Sequence, residues 1–360
     1  MDHYIGTMTD PDRARRLILE HGWNSTAYQI LNPGIEHWFH PSLPAVIGMV
    51  RERHRWIAGG APVCSLADLP SVAADFEKAA ERDGCKVCYV CAAQRLRDLY
   101  ARSNSHSLIT IGAQPVWNPN NWEGIARKFA SVRTQLNRAK NKRVEIIECA
   151  AELASPGADL RACLADWLSH RHFPPLRFMT EPDTLDGVLA DRLLWVAVRE
   201  NRVIGYLLAS PAPQRNGYLL EQIVRTYDAP NGTAELLIDA AMRSLTVRNC
   251  EYATLGLVAL AQHAGDDLAV NPFWLRALLG WARAHGSRFY NFRGLEAFRL
   301  KLHPEKWEPI YAISNEARFS VYTLHAIAAA FCTGSPVVAL GKALVMAVGQ
   351  EVKWMREKVF

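Results

Sequence analysis

Apolar and polar positions change period several times along the chain, and the changes come in a similar order twice. From about Ala27 the pattern predicts a short strand. It is followed by an aromatic strand at Ile35 to Phe39, an apolar one at Ala45 to Val50, and another at Arg55 to Ile57 closing on Gly59-Gly60. Val72 to Arg82 then carries apolar residues at helical spacing, with Ser65 and Asp68 as start signals and Pro70 and Ser71 adjusting the entry. A strand at Cys85 to Ala92, a helix at Gln94 to Tyr100 and a strand at Ser107 to Gly112 complete this unit.

The second half repeats the arrangement. A helix spans Asp159 to Ser169, and Leu194 to Arg199 with Val203 to Ser210 read as a hairpin across Glu200-Asn201-Arg202. Gly217 to Arg225 is a third strand, and the loop from Thr226 to Gly232 leads into a helix at Thr233 to Val247. A strand at Tyr252 to Val258 and a helix at Pro272 to His285 follow. Hairpin strands feeding a loop and then a helix are the order of the N-acetyltransferase fold. The expected class is therefore α/β (α+β), with two such domains in tandem, mixed sheets flanked by helices, and C-terminal apolar helices. The expected division is 1–125 for the first domain, 126–150 for a basic connecting helix, 151–318 for the second domain with the catalytic site, and 319–360 for C-terminal amphipathic or apolar helices.

Length and composition agree with two ordinary globular domains. The chain has 360 residues, 49% hydrophobic and 21% charged. A net charge of +5 is modest at this length, so contact with nucleic acid or an anionic lipid must come from local clusters. The N-terminus lacks a basic segment followed by an apolar one, which predicts a cytoplasmic chain. Eight cysteines are too few for a disulfide scaffold. Cys85, Cys88 and Cys91 have metal-like spacing, but the run between them is β-branched and aromatic and reads as a buried strand. His170 and His172 have no nearby carboxylate or cysteine to complete a site, so a loop role and no metal are expected.

Candidate chemistry sits in the second half. In acyl-CoA users of this fold the turn before the helix is glycine-rich, so that backbone N–H groups close on a pyrophosphate. Here the turn is Tyr227-Asp228-Ala229-Pro230-Asn231-Gly232, where a carboxylate repels phosphate and a proline lacks the donor. This argues against CoA. Asn231 or Thr233 is expected to cap the following helix. Glu221 and Arg225 stand four apart on a strand, which predicts that they share a face. Further on, Phe289-Tyr-Asn-Phe-Arg293-Gly294-Leu295 runs from a strand through a glycine turn into the basic amphipathic segment Phe298-Arg299-Leu300-Lys301-Leu302, and Trp307-Glu308-Pro309 follows.

With Asp228-Ala-Pro-Asn-Gly232, these motifs resemble the C-terminal synthase domain of phosphatidylglycerol lysyltransferases, over roughly residues 20 to 315. The resemblance implies transfer of an amino acid from aminoacyl-tRNA, as co-substrate and without a cofactor, to a lipid hydroxyl. The acceptor attacks the aminoacyl ester directly. It implies that Glu221 and Asp228 bind the ammonium group of the aminoacyl moiety while Arg225 orients them, with Asn231, Gly232, Glu235 and Gly294 completing the substrate site. Lys301 or Arg293 stabilises the oxyanion or holds the terminal phosphate of the tRNA. Glu308 stands as candidate base for the acceptor hydroxyl.

A basic run from Arg127 to Arg143 joins the halves with no acidic residue between Glu123 and Glu145. Such a run suits a phosphate backbone or is simply a solvated face. The family carries a similar Arg-x-x-Leu-Asn-Arg element, which implies tRNA contact through Arg133, Asn137 and Arg138, and with them Lys140, Lys142 and Arg143. The apolar stretches of 321–358 are broken by Pro336 and too short to span a bilayer; they suit either peripheral contact with the inner face of a membrane or closure of the core. The full-length lysyltransferases also carry an N-terminal multi-pass membrane domain, which is not expected of this sequence. Two alternatives stay open: the same donor chemistry onto a small-molecule hydroxyl or amine, and a non-catalytic tRNA- or membrane-binding module. The sequence fixes neither the amino acid nor the oligomeric state.

Overall fold

The computed structural model describes residues 9–149, 157–170, 176–180, 182–187, 190–259, 261, 271–276 and 292–332. In the first half lie α1 (Asp10–His21), β1 (Glu36–Phe39), β2 (Val46–Glu52), β3 (Arg55–Gly59), α2 (Leu69–Arg82), β4 (Lys86–Ala92), α3 (Gln94–Tyr100) and β5 (Ser107–Trp117). Then come α4 (Trp122–Lys128), α5 (Ala130–Asn141), β6 (Glu145–Cys149), α6 (Ala158–Ser169), β7 (Leu193–Arg199), β8 (Arg202–Ala212), β9 (Gly217–Arg225) and α7 (Thr233–Val247). The described part closes with β10 (Tyr252–Thr254), β11 (Val258–Ala259), α8 (Phe292–Leu300), β12 (Lys306–Ser314) and α9 (Val321–Phe331).

All the described strands join one 12-stranded sheet in the order β1-β2-β3-β4-β12-β5-β10-β9-β8-β7-β6, with β11 on β5. Each half has one parallel pair, β3 with β4 and β9 with β10, beside antiparallel neighbours. This is the repeat expected of two tandem N-acetyltransferase-like units. The halves also exchange strands at the middle: β12, late in the chain, pairs with β4 of the first half, and β5 of the first half pairs with β10 of the second. β5 and β12 pair with each other from Lys306 opposite Val116 to Ser314 opposite Ser107. The sheet is thus continuous across both halves.

Helix faces follow from the spacing of buried residues. In α2, Leu69, Val72, Ala73, Phe76 and Ala80 are buried, and they pack with Ile47, Trp56 and Tyr89 on one side of the first half. In the second half, α4, α5 and α7 cover one side through Val132, Leu136, Leu237 and Met242 against Leu207, Ala209 and Leu220. On the other side α6 packs Leu160 and Leu164 on Leu194, Val196, Leu208 and Val224. These two sides are called the α7 face and the α6 face below.

Several expectations need correction. Ala27–Leu31 is a short 3₁₀ turn and not a strand, since its polar side chains find partners on other elements and all five residues are buried. The strand expected over Tyr252 to Val258 breaks at Gly256, whose φ is +69°. Carbonyls freed there, those of Leu255 and Gly256, accept from Arg299 at 2.6 and 3.1 Å. The basic connecting helix is two helices, because Phe129 takes an extended backbone between α4 and α5. Gly294 lies inside the first turn of α8 and not in a glycine turn before it, and no left-handed φ occurs there. The cysteine run forms β4, where burial pushes the Cys91 thiol up to about 12. Most of the helix expected over Pro272 to His285, and the residues beyond 332, lie outside the described residues.

Candidate active site

A β-bulge sets the site. Across β8 and β9, Ala209 pairs with Leu220 and Leu208 with Gln222, so Glu221 is an extra residue in its strand. Leu220 keeps its place on the α7 face and Val224 on the α6 face. The bulge lets two consecutive polar residues, Glu221 and Gln222, both turn toward the α6 face. Gln222 accepts from Tyr206 at 2.9 Å and donates to the Pro182 carbonyl at 3.0 Å. Glu221, its side chain 3% exposed, takes a hydrogen bond from Ser210 at 2.8 Å and one from Gln29 at 3.3 Å, both on Oε2. Its Oε1 lies 3.0 Å from Nε of Arg192. That N–H, however, donates to Ser210 at 2.9 Å, so Oε1 is a buried acceptor that is ion-paired but takes no hydrogen bond among the described residues.

Arg192, which sequence reasoning missed, is buried at this carboxylate. Its Nη2 donates to Asn32 at 3.2 Å, and its guanidinium lies over the Tyr28 ring at 5.0 Å. Tyr28 in turn donates to Asp191 at 2.8 Å, and Asp191 is gripped by both Nε and Nη2 of Arg15. Burial would raise the Asp191 pKa, but Arg15 and Tyr28 outweigh it and hold it below the usual range. No spacing rule signals Arg192, because its partners come from three distant segments.

A second carboxylate, Glu308, falls on the same face as Ile310 and Ala312 of β12 and as the segment Asn24–Asn32. Arg215 holds it bidentately at 2.6 and 2.8 Å, Lys306 adds a contact at 2.9 Å, and Gln114 donates at 3.1 Å. Burial alone would raise its pKa. Arg215 prevails, with Lys306 and Gln114, and the carboxyl is held at about 2. Such a carboxylate is a poor proton acceptor, which goes against the base role expected for Glu308. Arg215 itself lies over Tyr252 at 3.8 Å and Trp23 at 4.8 Å.

The segment Asn24–Asn32 links the two carboxylates. Ser25 donates to Gln114 at 2.8 Å, Gln114 bonds both Glu308 and the Tyr252 hydroxyl, and four residues later Gln29 reaches Glu221. Beside this seam is a cavity of about 410 Å³, lined among others by Trp23, Asn118, Gln214, Arg215, Tyr252 and Lys306.

The remaining candidates gather elsewhere. Asp228 is exposed and ion-paired with Arg202, which holds its pKa low. It shares no partner with Glu221 among the described residues. Arg225 orients neither carboxylate; it pairs with Gly205 at the strand end, on the α7 face, and its Nη1 lies 3.5 Å from the Ala229 carbonyl. Neither Asn231 nor Thr233 caps α7: Gly232 holds the cap position at φ +97°, and Thr233 donates to the Pro230 carbonyl at 2.7 Å. Glu235 lies in the first turn of α7, half-buried. Arg293 and Gly294 lie in the first turn of α8.

Lys301 follows α8, exposed, and its carbonyl accepts from Ser131 of α5 at 3.3 Å. His303 stacks on Phe129 with centroids 3.4 Å apart. Lys301 is thereby brought to the basic helix. On α5 and just beyond it, Arg133, Asn137, Arg138, Lys140, Lys142 and Arg143 are exposed, while Val132, Leu136 and Ala139 are buried. None of these five cations pairs with a carboxylate among the described residues. Among the described residues no cluster of His, Cys, Asp and Glu could hold a metal, and no helix is long and apolar enough to cross a membrane.

Comparison with known proteins adds the family. The sequence model described as "Phosphatidylglycerol lysyltransferase, C-terminal" matches residues 15–314. An uncharacterized protein of Corynebacterium glutamicum is 23% identical over 313 residues, covering 82% of this chain; the chain spans 38% of that relative's length. Among solved structures, a domain assigned as the C-terminal part of a lysylphosphatidylglycerol synthetase from Agrobacterium fabrum superposes with a TM-score of 0.73 at 21% identity, covering 89% of this chain and 96% of that one. L-PGS from Bacillus licheniformis gives 0.70 at 18% identity, covering 91% and 97%.

Proposed function

The chain belongs to the phosphatidylglycerol lysyltransferase C-terminal family, and on that premise we propose that it moves an amino acid from aminoacyl-tRNA to a hydroxyl of a phospholipid such as phosphatidylglycerol. One observation carries the reading: the Glu221 Oε1, buried and without a hydrogen-bond donor among the described residues, beside a fixed Arg192. An α-ammonium supplies the missing N–H. Because the carboxylate is 3% exposed, entry requires the segment that covers it with Gln29 to part.

With the ammonium on Glu221, the ester carbonyl points along the seam toward Gln114 and Glu308. The cavity at Trp23, Arg215 and Lys306 receives the polar headgroup of the acceptor. The acceptor oxygen attacks the carbonyl carbon, a new ester bond forms, the bond to the ribose oxygen breaks, and the acceptor's proton ends on that leaving oxygen. Glu308 acts as a fixed charge that orients Arg215 and Gln114, a role that its low proton affinity allows. Electrostatic positioning of this kind needs no covalent enzyme intermediate. The exposed cations of α5, with Lys301 beside them, hold phosphates of the tRNA. Arg293 and Glu235 stand at the starts of α8 and α7; we assign Arg293 to the oxyanion or the terminal phosphate of the tRNA and Glu235 to the substrate site.

The reading is tested by mixing radiolabelled aminoacyl-tRNAs with the protein, with and without phosphatidylglycerol vesicles. Label in the lipid phase for at least one amino acid is expected. Label leaving tRNA only for a soluble small molecule overturns the lipid acceptor, and no transfer to any acceptor overturns the enzymatic reading.

A further inference from the structure

We propose that the stacked rings of His170 and Tyr227 form a platform for an unpaired nucleobase of the tRNA 3′ end, a site that rests on the aminoacyl-tRNA reading and deepens it. Tyr227 is 75% exposed, yet it is not a loose side chain. Its ring lies parallel to the His170 imidazole, with centroids 4.4 Å apart and planes 12° off. The two rings come from different elements, the end of α6 and the loop between β9 and α7, and Asp166 fastens both. Its carboxylate accepts the Tyr227 backbone N–H at 2.7 Å, and its carbonyl lies 2.8 Å from Nδ1 of His170. The loop is pinned on either side of the ring: Thr226 N–H donates to the Ile204 carbonyl at 2.9 Å, Ala229 N–H to the Thr226 carbonyl at 3.2 Å, and Asp228 pairs with Arg202. Little ordering remains to be done when a ligand arrives.

The chemistry of the surroundings selects the ligand. A protein partner calls for a contiguous apolar patch; here the ring is followed in the chain by the exposed Asp228, which pairs with Arg202. An aromatic face in polar surroundings suits a flat, polar-edged base, and stacking of this kind tolerates any base. The same loop ends at Gly232, which packs on the Gln135 carbonyl of α5, so the platform and the basic helix occupy adjoining elements. This loop reaches from α6, on one side of the sheet, to α5, on the other, and in the proposal a strand held on α5 follows it to the ring, which takes a base that is not already stacked in a duplex.

The probe is an unacylated RNA hairpin with a single-stranded 3′ CCA end, bound to the full chain and followed by fluorescence anisotropy. A companion hairpin carries abasic residues in that end. For the wild type, removing the bases is expected to weaken binding about tenfold, as for the loss of one stacked base. Tyr227→Ala is expected to bind the intact hairpin about tenfold more weakly and to ignore the abasic change, while Tyr227→Phe binds as the wild type does. An unchanged melting temperature in Tyr227→Ala is expected with this pattern. Wild-type binding to the hairpin with no effect of Tyr227→Ala, or an equal effect on intact and abasic hairpins, overturns the platform alone. Failure of the wild type to bind the hairpin overturns the tRNA reading, and the platform with it.

Discussion

Glu221 and Arg225 stand four residues apart on β9 yet fall on opposite faces of the sheet, because the chain bulges at Glu221. Regular alternation would put them side by side. The extra residue reverses the parity, frees the carboxylate from Arg225 and delivers it to Arg192, Ser210 and Gln29. Bulges commonly re-aim a side chain in this way. Here the result is a buried carboxylate whose Oε1 faces Arg192 and takes no hydrogen bond among the described residues.

The Arg192–Glu221 pair is expected to behave as a buried ion pair. Arg192→Met leaves Glu221 charged and uncompensated at 3% exposure, with an expected loss of about 3–5 kcal/mol. Replacing both, as Arg192→Met with Glu221→Leu, removes the uncompensated charge and is expected to recover part of that loss. Urea unfolding of the three proteins checks this; a double variant less stable than Arg192→Met contradicts it.

Glu308 gives a pH signature. Its carboxyl is held at about 2 in the folded chain against an ordinary 4.5, so its contribution is fully present above about 4.5 and is lost as pH falls through about 2. The shift corresponds to about 3 kcal/mol. In Glu308→Gln, stability is expected to fall at neutral pH and its decline between about 4.5 and 2 to flatten by that amount, which acid titrations of unfolding would reveal. With Glu308 in the fixed-charge role proposed above, the acid limb of the transfer rate is expected to stay in place in this variant, and a limb that moves would restore the base role.

Sequence patterning carried the second half's hairpin, β9, α7 and the repeat of the two units, because these elements bury regular faces. It failed where geometry depends on distant partners. The bulge at Glu221 has no local signal, and Arg192 looks like a routine charge at a strand start until Ser210, Asn32 and Tyr28 close on it. Ala27–Leu31 looked like a strand because buried polar residues such as Gln29 and Asn32 resemble an alternating edge, though each is satisfied across the fold. Family motifs located Glu221, Glu308 and the loop at Asp228. Their pairings came only with the structure.

Gly232 is expected to be irreplaceable. Its φ of +97° disfavours any side chain, and a Cβ would run into the Gln135 carbonyl of α5. Gly232→Ala should cost at least about 2 kcal/mol and loosen α7 from α5. Chemical denaturation measures it, and a loss below about 0.5 kcal/mol contradicts the packing described.

The basic surface of α5 predicts a salt dependence. Replacing Arg133, Arg138 and Lys140 together with alanine is expected to reduce the slope of log K for tRNA against log salt by about 2–3, with the fold intact, since all three side chains are exposed. Filter binding over a range of salt concentrations gives the slope. An unchanged slope would place the tRNA elsewhere.

The central claim is that Oε1 of Glu221 receives the α-ammonium. Single-turnover transfer from aminoacyl-tRNA and from its N-acetylated form, in wild type and in Glu221→Gln, tests it most directly. For the wild type, acetylation is expected to slow transfer by about 100-fold or more, the scale of a lost charged hydrogen bond in a buried site. In Glu221→Gln both donors should be slow and nearly equal. Wild-type transfer that proceeds equally well from the acetylated donor would contradict the account.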